Sequence, residues 1–227
     1  MIAGKRLRMK ISAPLAASSF RCSQLASRQV RVKICGIMDA AAALAAVDAG
    51  ADALGFVFAD SRRRVTPEVV RDIIGQLPPF VSRVGVFVDS PPAEVTDIAT
   101  YCGLTVIQLS DGDSSAHILP VIKTFRVGGG RALSVLSGCR AAAFLFDTYK
   151  KGSYGGTGET FDWRILQNIK CPGPLILAGG LTAANVREAI EIVKPYAVDV
   201  SGGVETDGRK DVNKIKEFIT QAKGVLI

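Results

Sequence analysis

Eight short runs of apolar, largely β-branched residues recur along the chain, at 32–35, 53–58, 83–88, 105–109, 120–125, 142–146, 175–178 and 197–200. Helix-like stretches separate most of them. The runs are continuous rather than alternating, as in strands of a parallel sheet covered on both faces. Eight such strand-then-helix units predict the α/β class and a (β/α)8 TIM barrel in a single domain, at the short end of its size range. A doubly wound open sheet would also alternate, but it places a glycine-rich loop after its first strand. Here the first turn reads Cys35-Gly36-Ile37, without a G-x-G-x-x-G pattern, and the barrel is preferred.

The punctuation fits. Asp39 stands where it caps an alanine-rich helix running to about Ala49, Pro67 opens a helix at its first turn, and Pro91-Pro92 start one ending near Cys102-Gly103. Thr182 is expected to cap a helix ending before Pro195, and an amphipathic helix from Asp211 to Lys223 closes the chain. Only eleven residues lie between Leu109 and Val121. That is at or below the dozen or so of a parallel crossover, so the fourth β/α unit is expected to be shortened.

The formal charge of +7 is local. Residues 1–33 carry eight Lys or Arg and no Asp or Glu, and the rest holds 20 basic against 21 acidic residues. Basicity therefore argues for a separate segment, not for a nucleic-acid surface. Residues 1–30 are read as a basic, serine-rich extension, either an organelle transit peptide or a disordered leader, and 31–227 as the barrel. No run is long and apolar enough for a membrane helix, so neither nucleic acid nor membrane is an expected partner. Five widely spaced cysteines without C-x-x-C, and a single histidine, give no zinc pattern. They fit reduced thiols in the cytoplasm, or in an organelle if the extension is a transit peptide.

In barrels of this kind reactive groups sit at the C-terminal strand ends, and phosphate is often held by the loops after strands seven and eight. Gly179-Gly180 and Ser201-Gly202-Gly203 occupy those two loops, where glycine lets backbone N–H groups approach an anion. Either pair alone is as well explained by a tight turn. Cys35 ends the first strand and Asp147 the sixth, one a candidate base and the other a candidate acid. Their plainer readings are a buried inert thiol and a turn cap. Arg62, Arg63 and Arg64 offer guanidinium groups to an acidic ligand, or form a solvated charge run. Asp199 is an inward-pointing candidate or a buried structural bond, and Lys33 a strand residue that forms a salt bridge.

Together these segments resemble the phosphoribosylanthranilate isomerase family of tryptophan biosynthesis. The resemblance rests on Val32-Lys33-Ile34-Cys35-Gly36-Ile37, Gly55 to Phe58, Ser61 through Pro67, Val84 to Val88 and Gln108-Leu109. It continues in Gly155-Gly156-Thr157-Gly158, Phe161-Asp162-Trp163, Leu177 to Leu181, Asn185-Val186, Val198 to Ser201, Gly203-Val204-Glu205, Gly208 and Lys210-Asp211. It implies an Amadori rearrangement of N-(5'-phosphoribosyl)anthranilate to 1-(2-carboxyphenylamino)-1-deoxyribulose 5-phosphate. By the family pattern Asp147 is the general acid that opens the furanose ring, and Cys35 the general base that takes the C2 proton. The Cys35 thiolate is expected to gain from nearby dipoles and arginine. Arg63 would pair with the anthranilate carboxylate, with Gln108 and Asp199 as further substrate contacts. Gly179, Gly180, Ser201 and Gly202 would hold the phosphate. No metal or organic cofactor is implied, and the assembly is expected to be a monomer or homodimer.

The chain departs from the family pattern in reading Gln108-Leu109-Ser110-Asp111 where Gln-Leu-His-Gly is usual, and in having Ser201-Gly202 where two serines are common. His117, the only histidine, is expected at the surface. A histidine-pathway isomerase would want paired aspartates at strands one and five. Indole-glycerol-phosphate synthase would want a lysine–glutamate set that Lys33 alone does not supply. The remaining alternative is a non-catalytic or relaxed-specificity phosphate-binding barrel.

Overall fold

The computed structural model describes residues 29–110, 114–127, 136, 138–148 and 160–227. Eight parallel strands close into a barrel in chain order: β1 (Arg31–Cys35), β2 (Ala53–Val57), β3 (Ser82–Phe87), β4 (Val106–Leu109), β5 (Val121–Val127), β6 (Ala143–Thr148), β7 (Leu175–Leu177) and β8 (Ala197–Val200). Closure comes from β8 pairing with β1, with Val32 opposite Val198 and Lys33 opposite Asp199. Five α-helices are present among the described residues: α1 (Ala40–Asp48), α2 (Pro67–Ile74), α3 (Pro92–Cys102), α4 (Val186–Val193) and α5 (Val212–Lys223). A short hairpin of β9 (Glu205–Thr206) and β10 (Arg209–Lys210) follows β8. None of the described helices is long and apolar enough to cross a membrane.

The continuous strand runs have the cause expected of them. Successive side chains point to opposite sides of the barrel wall. Val32, Ile34, Leu54, Phe56, Phe144 and Phe146 are among the outward residues packed with helix residues such as Ala43, Val70, Ile190 and Phe218. Val84, Ile122, Ala143, Leu145, Ile176, Ala178 and Ala197 form a second apolar cluster, that of the barrel interior. Burying a leucine-sized side chain this way contributes roughly 1.5–3 kcal/mol.

Helix starts follow local chemistry. Asp39 accepts from the Ala42 N–H at 2.8 Å, Thr66 from Val69 ahead of Pro67, and Asp211 from Asn213 and Lys214. Gly103 ends α3 in the left-handed region at φ 72°. Thr182 is not the cap of α4. Asn185 holds that place, and its side-chain oxygen accepts from the Thr182 N–H at 2.8 Å, so the chain turns once more before the helix begins. The fourth unit is short, and its described residues hold a single 3-10 turn, Ser114–Ala116. Between β6 and β7 the described residues hold the 3-10 turn Trp163–Leu166. Gln29 bridges Leu226 and Val30 is buried in the core, so the packed body takes in both. The rest of the basic extension, Asp111 and the glycine-rich 152–158 stretch lie outside the described residues.

Candidate active site

Two cavities open at the C-terminal ends of the strands. One, of about 220 Å³, is lined by the loops after β7 and β8, from Ala178 to Thr182 and from Asp199 to Gly203, with Asp147 at its edge. The other, of about 100 Å³, is bordered by Cys35, Arg63, Gln108, Asp147, Asp199 and Ser201, together with Ser110, Thr124 and Arg126. They share Asp147, Asp199 and Ser201. The nine candidate residues named from the sequence thus come together at one end of the barrel.

The loop after β7 is a glycine cradle. Gly179 and Gly180 have φ of 89° and 65°, backbone that a side chain strongly disfavours. A Cβ on Gly179 would collide with Thr148 and stand 2.8 Å from Asp147 Oδ1, and one on Gly203 would run into the Leu181 carbonyl. The two loops are therefore pressed together with backbone exposed to the cavity, a surface suited to a phosphate-sized anion.

Cys35 and Lys33 lie two residues apart on β1, so both face the barrel interior. Lys33 Nζ donates to Asp199 Oδ1 at 2.9 Å, and both side chains are buried. Burial alone would lower the Lys33 ammonium, but Asp199 and Cys35 more than offset it and hold it above its usual value. Burial pushes the Cys35 thiol up, and Lys33 and Lys210 only partly oppose it. The cations that act on this sulfur are lysines, and desolvation outweighs them. Asp147 is raised to about 6 by burial and by the negative charge of Asp199, against a bond from the Thr148 N–H and the charges of Arg126 and Lys33. Its carboxyl is poised to carry a proton near neutral pH.

Arg63 is not part of a solvated run. It is 7% exposed, and its Nε and Nη2 donate to the two Glu205 carboxylate oxygens at 2.6 and 2.9 Å. Arg62 joins the same carboxylate at 2.7 Å and Lys210 at 2.8 Å. Burial would raise Glu205, but the bonds from Arg63 and Lys210 overcome it and hold the carboxyl low. Lys210 also donates to the Ser201 carbonyl at 3.0 Å, and Ser201 Oγ donates to the Cys35 carbonyl at 3.0 Å. One carboxylate thus ties the hairpin after β8 to the loop after β2, and Ser201 links the end of β8 to the end of β1. Sequence reading named Glu205 and Lys210 only as parts of a motif. No local signal announces a partner 142 residues away.

Gln108 is buried, and its Oε1 has no hydrogen-bond partner among the described residues, leaving an acceptor beside the smaller cavity. Ser110 lines that cavity where the family pattern has histidine. His117 is half-buried, not a free surface side chain, and borders neither cavity. Among the described residues no cluster of His, Cys, Asp and Glu could hold a metal ion.

Comparison with known proteins agrees with this geometry. Residues 32–221 match the family profile described as N-(5'phosphoribosyl)anthranilate (PRA) isomerase. The N-(5'-phosphoribosyl)anthranilate isomerase of Geobacter sulfurreducens is 56% identical over 202 residues, covering 86% of this chain and 99% of its own. A crystal structure of phosphoribosyl anthranilate isomerase from Thermotoga maritima superposes with a TM-score of 0.77 at 43% identity, covering 86% of this chain and all of the other. The same enzyme type in complex with reduced 1-(o-carboxyphenylamino)-1-deoxyribulose 5-phosphate gives a TM-score of 0.74 at 42% identity, with 86% and 100% covered. Monomers generated from the dimeric Thermotoga maritima enzyme give 0.72 at 39% identity over the same shares. With its closed eight-stranded barrel and glycine-cradled cavity, the chain belongs to the N-(5'-phosphoribosyl)anthranilate isomerase family.

Proposed function

We propose that this isomerase rearranges N-(5'-phosphoribosyl)anthranilate with Asp147 as general acid and Cys35 as general base. The observation that carries the reading is the meeting of the two cavities at Asp147, Asp199 and Ser201. A phosphate in the cradle of Gly179, Gly180, Ser201 and Gly202 sets the ribose across that junction. Asp147 gives its proton to the ring oxygen, the C1–O bond breaks, and the anilino nitrogen lone pair forms an iminium. Cys35, as thiolate, takes the proton from C2 to leave an enolamine. Loss of the enol O–H proton and protonation at C1 give the ketone. Arg63 faces the anthranilate carboxylate, with Gln108 as a hydrogen-bonding contact and Asp199 toward the ribose.

Steady-state loss of substrate fluorescence tests the assignment. Turnover falls by roughly 10²-fold or more in both Cys35→Ala and Asp147→Asn. Unchanged turnover in either variant overturns that residue's role. No turnover in the parent, with inorganic phosphate still raising the Tm, points instead to a phosphate-binding barrel without isomerase activity.

We infer a homodimer rather than a monomer. The support is Phe80, 98% exposed at the rim of a cavity of about 380 Å³ at the N-terminal ends of the strands, with Tyr196 on the same rim. A bare aromatic beside an open apolar hollow is a surface that a second copy covers. We place the enzyme in the reducing cytoplasm, a reading supported by the free thiols of Cys35, Cys102, Cys139 and Cys171. An organelle remains the alternative that the basic extension raises.

A further inference from the structure

We propose that Lys33 is a positioning residue of the reaction, its buried ammonium shared between the Asp199 carboxylate and the Cys35 sulfur as the counter-charge on which that sulfur becomes a thiolate. The inference rests on Cys35 being the base.

Three observations carry it. The first is the place of the charge. Barrel interiors are ordinarily filled with branched apolar side chains, as Val84, Ile122, Leu145 and Ile176 fill this one. At the β1–β8 seam the chain instead sets Lys33 opposite Asp199, with Lys33 3% exposed. A buried ion pair is often no more stable than a well-packed apolar pair of the same volume. Stability therefore does not account for it.

The second is Gly55 on β2, which lies opposite Cys35 in register. A Cβ there would stand 2.8 Å from Cys35 Sγ and 3.2 Å from Lys33 Cε. The sulfur and the lysine stem fill one notch that the missing side chain leaves open, and the stem that carries the ammonium is held beside the sulfur. Gly55 also accepts, through its carbonyl, the N–H groups of Gly36 and Ile37 that follow Cys35.

The third is the charge inventory around the sulfur. Lys33 faces it from β1, Asp199 from β8 and Lys210 from β10. Asp147 on β6 faces Asp199, with Arg126 of β5 acting on Asp147. Arg63 packs its stem on Gly36, but its guanidinium is turned to Glu205. Lys210 is likewise engaged by Glu205 and Ser201. Lys33 is the cation that opposes burial of this thiol most. Its other bond, to Asp199, connects the base to the carboxylate whose charge also raises Asp147.

Ultraviolet titration of the thiolate, read as each protein minus its Cys35→Ala counterpart, tests this without relying on turnover. In Lys33→Met the midpoint rises by about one pH unit or more, a tenfold loss of thiolate at fixed pH. Its kcat falls about tenfold or more while KM changes by less than about threefold, the split expected of an interaction made only in the transition state. In Asp199→Asn the ammonium loses its competing partner, and the midpoint falls. Should Lys33→Met not fold, Lys33→Met/Asp199→Asn removes both charges and leaves neither unpaired. Its midpoint then lies above that of Asp199→Asn alone. Midpoints that stay together in Asp199→Asn, and in whichever Lys33 variant melts cooperatively, make the pair purely structural and overturn the proposal. Full turnover in Cys35→Ala would remove the base itself, a failure distinct from any shift among these midpoints.

Discussion

Arg63 meets Glu205 through two parallel bonds, Nε to Oε1 at 2.6 Å and Nη2 to Oε2 at 2.9 Å, and the carboxylate is also held by Arg62 and Lys210. The guanidinium is thereby fixed at the rim of the smaller cavity before any ligand arrives. Glu205→Gln leaves three cations around a neutral amide. Breaking a buried pair by removing one partner costs about 3–5 kcal/mol, and a loss near the lower end is expected because Arg62 stays solvated. Glu205 is held below its ordinary value of 4.5 in the folded protein, so its contribution is full above that pH. It fades as the pH falls through the lowered folded value. Denaturant melts of parent and variant therefore differ most at neutral pH and converge in acid. KM rises more than kcat falls.

Asp147 has the opposite sign. Its folded value of about 6 lies above the ordinary 3.8, so the folded protein binds more protons than the unfolded chain between those limits. Stability falls as pH rises through that window, by on the order of 3 kcal/mol. Asp147→Asn removes the buried negative charge while keeping the side-chain oxygen that accepts from the Thr148 N–H. It is expected to be inactive yet more stable than the parent by about 1–3 kcal/mol at pH 8, with the gain gone below about pH 4. Thermal melts at the two pH values check this, and a loss of stability at pH 8 would falsify it.

The pH dependence of kcat/KM follows from the same two groups. The reaction needs Asp147 protonated and Cys35 ionised, yet Asp147 titrates near 6 and the thiol above its ordinary 9.0. The working form is then a minor one, because the acid loses its proton at a lower pH than the base does. Its population is flat between the two values and declines on both sides. A plateau from about pH 6 to beyond pH 9 is expected in the parent. A narrow optimum near neutrality contradicts it.

Gly179 adjoins the acid directly. Its φ of 89° is costly for alanine, and the added methyl group collides with Thr148 and crowds Asp147 Oδ1. Gly179→Ala is expected to lose about 2–4 kcal/mol of stability. It also loses most of the Tm increase that inorganic phosphate gives the parent. A variant that melts like the parent and is equally protected by phosphate contradicts the cradle.

Phe80 carries the assembly prediction. Sedimentation of the parent is expected at twice the chain mass of 24.0 kDa, and Phe80→Glu at the single mass with turnover retained. A monomeric parent at micromolar concentration overturns it.

Much of the architecture was legible along the chain because its causes are local. Continuous apolar runs mark doubly covered strands, Asp39, Pro67 and Asp211 mark helix starts, and eleven residues between Leu109 and Val121 leave no room for a full crossover. Thr182 misled because it and Asn185 are both good caps, and which one serves depends on how the loop folds back: the Asn185 amide donates to the Gly180 carbonyl at 3.0 Å. The candidate residues were legible as positions at strand ends, since period two and chain order fix which end of the barrel they reach.

What each of those residues meets was not legible. Cys35 reads identically whether its neighbour is an arginine or, as in the folded barrel, the stem of Lys33. Asp199 becomes the partner of Lys33 only when β8 closes on β1, a pairing across 166 residues. Arg63 reads as part of an exposed triplet until Glu205 takes it from the far end of the chain. Sequence determined the barrel, its breaks and the chemical types gathered at its mouth, because propensity, capping and periodicity act between near neighbours. Tertiary closure decided the charges those groups carry, because burial and Coulomb interactions depend on distance in space and not along the chain.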